Sequence, residues 1–186
     1  MSRRFVLLDR DGTINQDVEY VMEPSQLELI PGAAGAVRSM RDLGLGIVIV
    51  TNQSPVGRGW ITPGQLDEIH ARLLDLLAEH GGSVDGIYAC PHAPDDRCDC
   101  RKPATGLVLR AAAEHGFDPR ASFVVGDHEG DMRLGRAIGA TTILVLTGHG
   151  REELGRGAGD HADVVVADLA EAAAVIHDLV ADGAAT

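Results

Sequence analysis

Six short apolar runs, most of them β-branched, alternate along this chain with stretches of helical spacing, and that alternation limits the folds open to it. The runs cover residues 5–8, 47–50, 84–89, 123–125, 142–146 and 164–166. Several are apolar at every position, as strands buried on both faces of a parallel sheet must be. The clearest helix spans 62–80, where Leu66, Ile69, Leu73, Leu76 and Leu77 mark one face. Thr62 is placed to cap it, Pro63 to open it, Gln65 to complete a capping box and Gly81-Gly82 to end it. Helical spacing also covers 33–43, 106–115 and 169–180. Strands alternating with helices imply right-handed crossovers and a doubly wound, mostly parallel, Rossmann-like α/β sheet. In such folds ligands sit beyond the carboxyl ends of the strands. The sequence predicts one domain over 1–186, a mobile glycine-rich loop over 148–159 and a flexible tail over 182–186.

The chemically capable residues fall at those strand ends. The first run passes directly into Asp9-Arg10-Asp11-Gly12-Thr13. Residues two apart on an extended segment point the same way, so Asp9 and Asp11 can converge, and Gly12 lets the chain turn sharply. An acidic turn is the alternative. A second cluster, Gly126-Asp127-His128-Glu129-Gly130-Asp131, follows the run at 123–125. Asp127 there would approach Asp9 along the same sheet edge, while Asp131 suits the first turn of a helix. Carboxylates so gathered suit Mg²⁺, a hard cation that takes oxygen ligands and is completed by water and phosphate. The run at 47–50 ends in Thr51-Asn52-Gln53-Ser54, whose hydroxyls and amides can donate to phosphate oxygens. Lys102, beside Arg101, supplies a positive charge.

The chain has only three cysteines, and all lie between Cys90 and Cys100. A disulfide framework would use an even number spread along the chain. Cys90, His92, Cys98 and Cys100 instead supply the four ligands of a closed structural Zn²⁺ site. Three thiolates around Zn²⁺ leave one negative charge, which Arg101 and Lys102 offset. Buried small hydrophobes and a redox pair are the rival readings, although C-x-C is not the usual redox spacing. A zinc loop at 90–102 would stiffen the chain that aims Arg101 and Lys102.

With 16 basic and 28 acidic residues, a formal charge of −12 disfavours nucleic acid and anionic membranes as partners. Six aromatic residues leave little to stack on bases. No apolar run approaches the ~20 residues that span a bilayer, and the N-terminal segment meets Asp9 before a signal-like apolar region develops. A cytoplasmic, monomeric protein acting on a small molecule is the expectation.

Taken in order, DRDGT (9–13), Thr51, Lys102 and GDHEGD (126–131) resemble the haloacid dehalogenase superfamily of phosphotransferases. Within it, TNQSPVGRG and CPHAPDDRCDCRKP look like the D,D-heptose 1,7-bisphosphate phosphatase family, over roughly 5–150. The histidinol-phosphate phosphatase family shares the cysteine loop and the RKP sequence. The resemblance implies a domain without a large cap and a Mg²⁺-dependent phosphatase. It makes Asp9 the nucleophile and Asp11 the general acid and base. Thr51 and Lys102 would hold the transferring oxygens, and Asp9, the Asp11 carbonyl and Asp127 would bind Mg²⁺. Positions 17–20, with Asp17 and Tyr20, would hold substrate, as would Asn52, Gln53, Ser54 and Arg101. Two departures stand out: Pro55 replaces the usual Gly, and His128 stands where a Lys commonly contacts substrate. Arg58 and Arg101 provide two guanidinium forks suited to a second phosphate. That favours a sugar bisphosphate over histidinol phosphate; a zinc-stabilised phospholigand-binding protein without turnover is the non-enzyme alternative.

Overall fold

The computed structural model describes residues 3–184. Six strands, β1 (Phe5–Leu8), β2 (Gly46–Asn52), β3 (Gly86–Cys90), β4 (Phe123–Gly126), β5 (Thr141–Val145) and β6 (Val164–Val166), form one sheet. Its order is β3-β2-β1-β4-β5-β6 and every neighbouring pair is parallel. The helices are α1 (Ala33–Asp42), α2 (Ser54–Gly57), α3 (Pro63–Glu79), α4 (Gly106–His115), α5 (Glu129–Ile138), α6 (Gly150–Gly155) and α7 (Leu169–Ala184).

Alternation along each strand feeds two cores. Val6 and Leu8, with Ile47, Ile49, Phe123 and Val125, pack against α1, α3 and α7 on one face. Phe5 and Leu7, with Val48, Val50 and Val124, pack against α4 and α5 on the other. This double burial explains the unbroken apolar runs. The capping box forms as the residue pattern demands: Thr62 Oγ1 accepts from Gln65 N (3.2 Å) and Gln65 Oε1 from Thr62 N (2.9 Å). No helix of the described residues is long and apolar enough to cross a membrane.

Two expectations need adjustment. The glycine-rich stretch expected to be a mobile loop holds α6 and a further helical turn, Ala158–His161. Glu153 explains the order: it is buried, accepts from Glu129 N (2.9 Å) and pairs with Arg156 (3.3 Å). At the carboxyl end, α7 continues through Ala184 rather than stopping at 180; the rest of the tail expected at 182–186 lies outside the described residues.

The strand order reverses between β1 and β4, since β1 leads to β2 on one side while the crossover from α4 returns to β4 on the other. Such a switch point opens a crevice at the carboxyl ends of the two strands. Leu8 lies opposite Val125, and Asp9 N donates to Val125 O (2.9 Å). Register therefore delivers Asp9 and Asp127 to the same crevice.

Candidate active site

Asp9, Asp127 and Asp131 meet there, each offering a carboxylate oxygen within 4.8 Å of the others. Lys102 enters from the connection before α4. Its Nζ pairs with Asp9 Oδ1 and Asp131 Oδ1, both at 2.6 Å, and donates to Val50 O (2.7 Å). All three ammonium protons are thus used, and Lys102 is held charged, above the ordinary lysine range, by its two carboxylate partners despite burial. One cation does not balance three carboxylates. Burial, aided by the charge of Asp131, pushes Asp9 up to about 7. Burial with the charges of Asp9 and Asp131 pushes Asp127 up to about 8. Three oxygen donors with surplus negative charge, open to a cavity of about 340 Å³, fit a hard divalent cation such as Mg²⁺.

The loops around the cluster leave no room for side chains where glycine stands. Gly12 has φ +77° and Gly148 φ +50°, and a Cβ on either would overlap the Asp127 carboxylate. Thr147 Oγ1 donates to Gly12 O (2.6 Å), and His149 N donates to Asp127 Oδ2 (2.8 Å). The stretch expected to be mobile therefore fixes Asp127.

Asp11 stands outside the three-carboxylate group. Arg10 Nε reaches its Oδ1 (3.1 Å), and Arg10 NH2 reaches Oδ1 and Oδ2 (both 2.8 Å). Asn15 Nδ2 donates to Oδ1 and Gln53 Nε2 to Oδ2, both at 2.9 Å. Burial alone would raise this carboxyl; the Arg10 charge and these hydrogen bonds outweigh it and hold Asp11 below the usual carboxylate range. Asp9 and Asp11, two residues apart, are thus pushed in opposite directions.

Several residues expected to hold substrate serve other contacts here. Gln53 bridges Asp11 and Thr51, donating to Thr51 Oγ1 (2.8 Å). Asn52 pairs with the backbone of Lys102, accepting from its N (3.0 Å) and donating to its O (3.3 Å), which fastens the Lys102 segment to β2. Asp17 Oδ2 contacts His149 Nε2 (2.7 Å). His128 caps α5, its Nδ1 accepting from Gly130 N (3.1 Å). Asp11, Asp17, Tyr20, Thr51, Asn52, Gln53, Arg101, Lys102 and His128 nevertheless all line the cavity. Ser54 and Arg58 do not line it. Ser54 is buried at the start of α2, and the Arg58 guanidinium lies over the Trp60 ring, 5.0 Å from its centroid. Trp60 in turn meets Tyr20 edge-on at 5.2 Å.

The residue pattern did not single out Arg10, Asn15, Arg133 or His149. Arg10 had a signal: alternation sends residue 10 opposite to residues 9 and 11, into the interior, where a charge must find a partner. His149 and Arg133, both lining the cavity, had none.

The cysteine loop is a compact second cluster. Cys100 Sγ lies 3.0 Å from Cys90 Sγ and 3.4 Å from Cys98 Sγ, and Cys90 and Cys98 are 3.6 Å apart. His92 Nδ1 closes the set at 3.2 Å from Cys100 and 3.6 Å from Cys90. A tetrahedron with Zn–S bonds of about 2.3 Å has edges near ~3.8 Å, so these donors fit Zn²⁺ with small outward shifts. Gln53 N donates to Cys90 O (2.7 Å), and Arg101 NH1 to His92 O (3.4 Å). The loop is therefore tied both to β2 and to Arg101.

A parallel sheet with this carboxylate–lysine constellation at its switch point defines a haloacid dehalogenase-like hydrolase. A family model described as HAD-hyrolase-like matches residues 99–172. Relatives named D-glycero-beta-D-manno-heptose-1,7-bisphosphate 7-phosphatase include one from Pseudomonas aeruginosa, 40% identical over 157 residues (84% of this chain, 88% of that protein). Another, from Pseudomonas putida, is 42% identical over 156 residues, 83% of this chain and 89% of the relative. The D,D-heptose 1,7-bisphosphate phosphatase of B. bronchiseptica, solved with magnesium and phosphate, superposes with a TM-score of 0.88 at 35% identity. It covers 94% of this chain and 98% of the other. The chain belongs to the heptose 1,7-bisphosphate 7-phosphatase family.

Proposed function

We propose that this protein hydrolyses the 7-phosphate of D-glycero-D-manno-heptose 1,7-bisphosphate through an aspartyl-phosphate, with Mg²⁺ as its catalytic cofactor and Zn²⁺ as a structural one. The observation that carries the reading is the division of labour between neighbouring aspartates. Asp9 sits in the carboxylate–lysine cluster, whereas Asp11 is held apart by its own donors. The separation gives the two carboxyls different partners: Arg10 favours ionised Asp11, the form that accepts water's proton in the second step, so in the first step Asp11 carries its proton against that charge.

In the reaction, an Asp9 oxygen attacks phosphorus as the bond from phosphorus to the sugar oxygen breaks, and Asp11 gives its proton to the leaving alkoxide. Asp11 then takes a proton from water, whose oxygen attacks the same phosphorus. Inorganic phosphate leaves and the Asp9 carboxylate is restored. Thr51 and Lys102 hold the transferring oxygens. Asp9, Asp127 and the Asp11 carbonyl would bind Mg²⁺, with Asp131 beside them; when bound, the ion neutralises phosphoryl charge. The relatives' names and the magnesium and phosphate in the B. bronchiseptica structure support this reading.

For the distal phosphate, Arg101 and Arg133 take the place given to Arg101 and Arg58, since both line the cavity and Arg58 does not. Their two positive charges favour a bisphosphate over histidinol phosphate. A monomer acting in cytoplasmic heptose activation completes the reading. The test is Mg²⁺-dependent phosphate release from each anomer of the bisphosphate and from histidinol phosphate. We expect the highest kcat/KM on one bisphosphate anomer and loss of about 10³-fold or more of it in Asp9→Asn. A preference for histidinol phosphate, or an Asp9→Asn protein with undiminished turnover, would overturn it.

A further inference from the structure

Arg10 is wholly buried, with none of its side chain exposed. Charged side chains are rarely buried without a partner, because burial costs them their hydration. A structural arginine recovers that cost by tying together carbonyls or carboxylates of separate elements. Arg10 ties none: its Nε and NH2 both go to Asp11, the adjacent residue, and NH1 has no partner among the described residues. The guanidinium holds one carboxylate, in the fork geometry that fixes both its place and its plane.

We propose that Arg10 is a positioning residue for proton transfer, fixing the Asp11 carboxyl in the wall of the cavity where the leaving oxygen forms. Its charge favours the ionised carboxylate, the form that takes a proton from water; in the first step Asp11 carries its proton against that charge, and the fork contributes orientation alone. The inference rests on the reading of Asp11 as general acid and base. Asn15 and Gln53 each give Asp11 one hydrogen bond from a neutral amide, at 2.9 Å; Arg10 alone gives it a charged, two-pronged contact. Without the fork, Asp11 keeps two contacts but loses the constraint on its orientation.

The test is single-turnover release of the leaving group, which isolates the first chemical step. An alkyl phosphate expels a strongly basic alkoxide and needs a proton donor, whereas p-nitrophenyl phosphate expels a weakly basic phenolate and needs little help. Loss of positioning should therefore be selective. Arg10→Met is expected to slow release from a sugar phosphate by about 100-fold, within the range general acid catalysis supplies, and from p-nitrophenyl phosphate by less than about 5-fold. Arg10→Lys, which keeps the charge without the fork, should show the same selectivity and serves if Arg10→Met does not fold. A general disturbance of the site would slow both substrates equally, and that result, or unchanged rates on both, overturns the proposal. Asp11→Asn separates the two readings. If it leaves sugar-phosphate release at the wild-type rate, the assignment of Asp11 fails; if it shows selective loss while the Arg10 variants do not, only the role of Arg10 fails.

Discussion

Two metal-type clusters lie on either side of Lys102, and they are built in opposite ways. The thiolate cluster draws its four donors from eleven consecutive residues, on a loop that is partly exposed. The carboxylate cluster draws its donors from the ends of β1 and β4 and from the first turn of α5, at sites brought together only by the folded sheet. The thiolate set supplies all four positions of a tetrahedral ion. The carboxylate set leaves one side open to the cavity, where a phosphoryl group can enter. A closed local cluster suits holding a loop in shape. An open cluster set in a rigid sheet suits chemistry, since its excess charge is kept in place by the fold.

Lys102 joins the two and gives the largest effect by which the contrast can be broken. It follows the thiolate loop in sequence but donates to Asp9 and Asp131. Lys102→Met should lower kcat by about 10²–10³-fold, the usual cost of removing one charged donor from a phosphoryl site, while zinc content stays at one ion per chain. A Lys102→Met protein that loses zinc would show that the clusters are one unit rather than two. Stripping Zn²⁺ with a chelator, then restoring Mg²⁺, should cost about 10-fold in kcat by loosening residues 90–102. Hydrogen exchange should rise in that loop and not in β1 or β4. Full activity in zinc-free protein would make the loop dispensable to catalysis.

A smaller effect sharpens the boundary between chemistry and recognition. Arg133 lines the cavity from α5 and forms no ion pair among the described residues. Arg133→Ala should raise KM for the bisphosphate by about 5–10-fold with kcat nearly unchanged, because a contact to the distal phosphate is equally strong in ground and transition states. Steady-state kinetics on the bisphosphate and on a monophosphate checks this: the monophosphate KM should not move.

The same contrast decides what could be read before folding. Cys90, His92, Cys98 and Cys100 were legible because ligand type and spacing are local. Asp9 and Asp127 were legible because they follow strands that end on one sheet edge, and Lys102 because it is a lysine set beside Arg101 directly after the cysteine cluster. Arg133 was not, since a single arginine on an amphipathic helix looks like any solvated charge. Arg58 was misplaced for a related reason: chain proximity to the Thr51 segment does not say which way a side chain turns, and here it turns onto Trp60. Nor did composition distinguish a mobile glycine-rich loop from one pinned by Glu153 and the His149 amide.

Acid provides a last means of separating the two regions. His70, on α3, is largely buried and near the Arg10 charge, and burial followed by that charge pushes it down to about 4 from 6.5. The unfolded chain therefore binds a proton at His70 near pH 6.5, and the folded chain only near pH 4. Between these values the unfolded state holds more protons, so stability falls as the pH drops; above pH 6.5 the contribution of His70 is complete. One such group gives a slope of at most about 1.4 kcal/mol per pH unit. The Zn²⁺ proposed for the cysteine loop would also leave its thiolates in acid, which adds a slope of the same sign. His70→Gln separates them: urea midpoints measured from pH 7 to pH 4 should lose only the His70 part, and the zinc-dependent part should remain. The raised Asp9 and Asp127 carboxyls act with the opposite sign over this window, because the folded chain holds their protons to higher pH than the unfolded chain does. An unchanged profile in His70→Gln would therefore assign the acid sensitivity to the other titrating groups and not to His70.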